Sequence, residues 1–156
     1  MKTRQQISIG ISDLCFGCGK NNPCGLKLNF EWDGKKARAK FTPTELHQGW
    51  EGIVHGGIIA TILDEAMGYA TDYEGIRCVT GIMQTRFKRS ASVGEPLVVT
   101  ASMTKNARRF TETEAKITLT DGTIIAESTA MQYVGSSKSQ NTSIKDKPKN
   151  NAQKQG

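Results

Sequence analysis

One stretch constrains this chain more than any other. Residues 53–74 are its only long helical pattern, and Ile58, Ile59, Ile62, Leu63, Ala66, Met67, Ala70 and Tyr73 recur there at three- and four-residue steps. These positions cover too much of a helix circumference for a simple two-faced surface helix. The helix must be covered on more than one side. Gly56-Gly57 sit at its front and Gly75 follows its end as a C-cap.

The material available to cover it is strand-like. Residues 26–32 alternate apolar and polar, Asp33-Gly34 signals a hairpin turn, and residues 35–41 alternate again through Ala37, Ala39 and Phe41. Beyond the helix, segments 76–90, 96–103, 111–120 and 123–134 read as strands, with a second turn at Asp121-Gly122. One buried helix beside antiparallel strands is an α+β arrangement, most simply a sheet wrapped around the helix. Residues 1–134 form one domain; residues 1–25 read as a helical or irregular lead-in ending in turns. Residues 135–156 are rich in Ser, Asn, Gln and Lys and read as a disordered tail.

The net charge of +6 sits mostly in that tail, where five lysines face one aspartate. Without interleaved aromatics this reads as a solvated tail, and no nucleic-acid partner is expected. No apolar run is long enough to span a membrane and no signal-like apolar segment opens the chain, so the expectation is a cytoplasmic protein without a membrane partner. Three of the four cysteines cluster as Cys15, Cys18 and Cys24. One close pair is present and the second pair of a tetrahedral zinc site is missing, so neither a metal nor a disulfide is expected. The cluster reads as a turn segment carrying small buried thiols.

The chemistry concentrates in His55-Gly56-Gly57 followed by Asp64. First-turn N–H groups have no intrahelical acceptor, and the helix dipole favours negative charge there. Bare glycines permit close approach, so the Gly56 backbone suits an oxyanion. Asp64 lies eight residues on, roughly 12 Å along the axis at 1.5 Å per residue. One copy of the helix cannot easily aim both groups at one carbonyl. Two antiparallel copies can, with Gly56 of one subunit facing Asp64 of the other, which implies a two-fold dimer sharing two sites.

The run from His47 through Gly57, with Leu63-Asp64-Glu65-Ala66-Met67-Gly68, resembles the thioesterase branch of the hotdog superfamily, and more narrowly the phenylacetic-acid-degradation type. The lead-in Cys15-Phe16-Gly17-Cys18-Gly19 and the strand around Thr80–Arg89 share the likeness, which spans residues 13–134. The resemblance implies a hotdog fold, a dimer or dimer of dimers, and hydrolysis of an acyl-CoA thioester without a cofactor. It implies Asp64 as general base or nucleophile and the Gly56 N–H as the polarising donor. His55 would position the substrate or its loop, and Thr80 would sit near the catalytic water. Gln48, Gly57 and Met83 are expected to contact substrate. Lys88 and Arg89, and less directly Arg108 and Arg109, are candidates for the CoA phosphates. Related enzymes carry Asn or Gln six residues before the histidine; here that position is Gly49, with Gln48 one residue earlier. Two rivals stand beside hydrolysis: a non-catalytic acyl-CoA sensor of the same fold, and a hotdog dehydratase or hydratase.

Overall fold

The structure, a computed structural model, describes residues 8–10 and 12–137. The expected disorder of residues 138–156 and the reading of residues 1–7 lie outside the described residues. Strand β1 (Ser8–Ile9) is followed by the lead-in turns, β2 (Glu31–Trp32), β3 (Ala37–Phe41) and a short 3-10 turn at Glu45–His47. Helix α1 (Gly56–Asp72) comes next, then β4 (Cys78–Phe87), β5 (Leu97–Asn106), β6 (Phe110–Leu119), β7 (Ile124–Val134) and β8 (Ser136–Ser137). Strands β2 to β7 form one antiparallel sheet in the order β2-β3-β5-β6-β7-β4, and β1 pairs parallel with β8. The tail therefore begins with a paired segment at Ser136–Ser137, past the expected boundary at residue 134.

The helix lies on one face of the sheet, and size complementarity explains how closely. Alanines at 37, 101, 115, 126 and 130 face it from five strand positions, while Ile62, Leu63 and Met67 of α1 are fully buried. Small residues on the sheet leave room for large ones on the helix, and burying each large side chain contributes roughly 1.5–3 kcal/mol. Thr113, Ala115 and Ile117 are the buried side of β6, as their alternation predicts.

The helix ends at Asp72, two residues before the expected end at residue 74, and Gly75 closes the turn that follows. Gly75 adopts φ +77°, its N–H donates to Asp72, and the Ile76 N–H reaches back to the Thr71 carbonyl. The Asp33-Gly34 and Asp121-Gly122 turns form as expected, with both glycines at positive φ and both aspartates accepting backbone N–H groups.

Two sequence expectations need correction. The expected strand at 26–32 pairs only at Glu31–Trp32. Leu26, Leu28 and Phe30 are buried in the alternation expected, but Lys27 sits at φ +54° and the segment follows the lead-in loop instead of a ladder, with Leu26 and Leu28 donating to Phe16 and Gly17 carbonyls. Aromatic stacking holds this segment down: Phe30 on Tyr69 and Trp32 on Tyr73, with the Tyr73 hydroxyl donating to the Phe30 carbonyl at 2.8 Å. The helix also starts at Gly56 instead of residue 53. Ile53 and Val54 form isolated bridges to Ser92 and Gln48.

Candidate active site

The site is assembled by the first half of α1 and by β4. His55 caps the helix: its Nδ1 accepts the Gly57 N–H at 2.8 Å, and its carbonyl accepts the Ile58 and Ile59 N–H groups. Among the described residues this leaves one first-turn N–H without an acceptor, that of Gly56. Gly57 is fixed by this cap, since a side chain there would meet the His55 ring at 2.9 Å. Gly56 is different: an added Cβ would only touch Phe87 at 3.7 Å. Its missing side chain clears the approach from outside.

Asp64 is half-buried two turns further along α1. Its Oδ1 accepts the Thr80 hydroxyl at 2.6 Å. The structure thus brings together two residues sixteen apart that were expected in one site. A β-bulge makes the contact possible. The β4–β7 register shifts between Thr80 and Ile82, so Thr80, Met83, Thr85 and Phe87 all turn toward the helix. Without the extra residue, Met83 and Phe87 would face away from α1. Gly81 is the bulged residue, and a Cβ there would lie 2.2 Å from the Tyr133 ring.

The other expected residues take distinct places. Met83 is half-buried against the core. Gln48 accepts the Gly52 N–H at 3.0 Å through its side chain, shaping the loop before the helix. Lys88 pairs with Glu127 at 3.6 Å, both half-exposed, and Arg89, Arg108 and Arg109 lie outside the Asp64–Thr80 contact. A concavity of about 470 Å³ lies on the outer face of the sheet among Gln84, Arg86, Glu114 and Lys116. Its lining includes none of Gly56, Asp64 or Thr80.

Sequence reasoning missed one contact. Glu65 turns away from Asp64 toward the lead-in loop, where the Cys15 thiol donates to its carboxylate at 3.4 Å. Burial pushes the Cys18 thiol up to about 12, with hydrogen bonding to Glu65 adding to the shift, and burial also raises Tyr69. Nothing in local spacing announces a pairing fifty residues apart.

The sequence model of the thioesterase superfamily matches residues 51–126. No curated protein sequence matches the chain significantly. Among solved structures, a thioesterase superfamily protein is 26% identical with a TM-score of 0.74; the match covers 78% of this chain and 60% of that one. A Streptococcus mutans protein bound to acetyl CoA is 18% identical, with a TM-score of 0.67 over 71% of this chain and 91% of its own. The E. coli PaaI protein of the phenylacetic acid degradation operon is 20% identical, with a TM-score of 0.66 over 69% and 83%. The segment that matches the thioesterase superfamily model carries Gly56, Asp64 and Thr80, and the helix with the sheet that backs it is the hotdog fold of these thioesterase superfamily structures.

Proposed function

We propose that the chain hydrolyses an acyl-CoA thioester to a free acid and CoA at sites shared between two subunits. The observation that carries this reading is the pairing of a fixed carboxylate with one spare helix donor. Thr80 holds Oδ1 of Asp64 at 2.6 Å, and the Gly56 N–H is the first-turn donor left unbonded among the described residues.

The chemistry follows from these groups. The thioester carbonyl oxygen accepts the Gly56 N–H, aligned with the positive end of α1. Asp64 takes a proton from water as the water oxygen bonds to the carbonyl carbon. The tetrahedral intermediate then breaks its C–S bond, and the thiolate leaves with the electron pair. Thiolate is a good leaving group, so one carboxylate and one oxyanion donor suffice. The same carboxylate can instead attack the carbonyl and form a mixed anhydride. Label entering Asp64 in a single turnover in isotopically labelled water would establish the covalent route, since that requires water to attack the aspartyl carbonyl of the anhydride.

The helix itself supports sharing between subunits. Gly56 and Asp64 are eight residues apart on a straight helix, roughly 12 Å along its axis. Strand β4 is one edge of the sheet, and Val79, Ile82 and Phe87 on it are exposed. An apolar edge strand supports pairing with a second copy. A relative of the same fold binds acetyl CoA, which supports CoA as the carrier, and the PaaI likeness is in keeping with an aryl-acyl branch. Lys88, Arg89 and Met83 are the proposed substrate contacts.

The test is release of free CoA thiol from a panel of short, long and aryl acyl-CoAs by the native chain and Asp64→Ala. The expected result is hydrolysis of at least one class and loss of most of that rate in the folded variant. Binding of CoA without hydrolysis would overturn the reading and favour a sensor.

A further inference from the structure

A second cluster of reactive side chains lies outside the proposed Gly56–Asp64–Thr80 site. Cys15, Cys18 and Glu65 each offer one atom, and these three atoms lie within 4.8 Å of one another. We propose that they form a zinc site that clips the lead-in segment to α1, with water in the fourth position.

The Cys15–Glu65 spacing fits a shared metal before any metal is added. Tetrahedral zinc with Zn–S near 2.3 Å and Zn–O near 2.0 Å sets sulfur and oxygen roughly 3.5 Å apart, and two sulfurs roughly 3.8 Å apart. The Cys15 sulfur lies 3.4 and 3.7 Å from the two Glu65 oxygens. The three donors come from two elements fifty residues apart, and the backbone is shaped to bring them together. A side chain at Gly17 would meet the Glu65 carboxyl at 2.6 Å, and one at Gly19 would meet the Asp13 carbonyl at 2.4 Å. The Gly19 N–H folds back onto the Cys15 carbonyl at 2.9 Å, closing the loop that presents both thiols on one side.

Glu65 has the environment of a ligand. It is half-buried, and no Lys or Arg among the described residues lies within ion-pair distance of it. Its neighbours are thiols and, one turn further on, Tyr69. Two thiolates and a carboxylate select zinc over calcium or magnesium, which take oxygen ligands. The charge balance is simple. Zinc displaces two thiol protons to solvent, and three anionic ligands around one dication leave a net charge of −1. Glu65 follows Asp64 directly, so the clip would hold the turn of α1 that carries the proposed base. The inference does not depend on the hydrolytic reading, because metal uptake is measured without substrate.

The experiment uses the full chain, reduced with a phosphine and stripped with a chelator. Zinc is then titrated against a chromophoric competitor, and cobalt is added separately to record thiolate-to-metal charge transfer. The native chain and a Cys24→Ser/Cys78→Ser variant are expected to bind one equivalent and to show the charge-transfer band. Cys15→Ser/Cys18→Ser is expected to lose both. Glu65→Gln is expected to bind roughly tenfold or more weakly. The native cobalt spectrum and Glu65→Gln keep the test decisive if the double variant fails to fold. Absence of uptake by the native chain, uptake unchanged in Cys15→Ser/Cys18→Ser, or uptake lost with Cys24 and Cys78 would each overturn the proposal.

Discussion

At the scale of single residues, Gly56 and Asp64 can be separated by substitutions that respect the helix. Gly56 is the first helical position and follows His55 at φ −61° and ψ 134°. That backbone suits a residue before proline, and proline is favoured at the first helical position. Gly56→Pro should therefore keep its melting temperature while losing the N–H donor, with kcat falling roughly 10²- to 10³-fold. Gly56→Ala adds bulk but keeps the donor, and should raise KM more than it lowers kcat. Equal loss in both variants would mean that space, not the N–H, is what the position supplies. Thr80→Val removes the hydroxyl that orients Asp64, and kcat should fall roughly ten- to a hundredfold with KM little changed. Asp64 and Gly56 are legible in the sequence because their spacing and helical setting are local. The free Gly56 N–H is less so, because it depends on His55 spending its ring nitrogen on Gly57. The Glu65–Cys15 contact is not legible at all, since it joins distant segments.

At the scale of elements, the bulge in β4 decides which side chains the helix meets. Gly81→Ala would press a methyl into the Tyr133 ring, and overpacking of this kind costs about 1–3 kcal/mol. Unfolding in denaturant should show that loss, and Tyr133→Ala in the same chain should recover part of it. A fully additive pair would argue against the clash. The hairpin turns respond to acid. Backbone N–H groups of Lys36 and Lys35 hold the Asp33 carboxyl below its usual 3.8, and the backbone N–H and hydroxyl of Thr123 do the same for Asp121. A lowered folded value means that this stability is present above pH 3.8 and is lost as pH falls through the folded value. Asp33→Asn/Asp121→Asn should show a flatter fall in melting temperature below about pH 4. Both turns, the helix and the alternation of β6 are legible because each has a local cause: glycine at positive φ, a 3.6-residue period, a two-residue period. Pairing of residues 26–30 is not, because Lys27 leaves the extended region to follow the lead-in loop. Alternation reports burial, and burial here comes without a ladder. The bulge escapes for the same reason, since one glycine in a strand does not say which neighbour will pair around it.

At the scale of the whole molecule, the proposed hydrolysis needs two subunits to complete each site, since Gly56 and Asp64 stand roughly 12 Å apart along one helix. Asp64→Ala and Gly56→Pro should each be inactive as pure proteins, for opposite reasons. Unfolding them together and refolding the mixture allows exchange. In a mixed dimer, one site joins the intact Asp64 of one subunit to the intact Gly56 of the other, and the second site carries both lesions. With random pairing, half the dimers are mixed and each has one working site, so about a quarter of the native rate should return. Recovery of CoA release in the mixture would establish that the base and the oxyanion donor come from different subunits. A mixture that stays as inactive as its parts, with exchange of subunits demonstrated separately, would contradict the shared site.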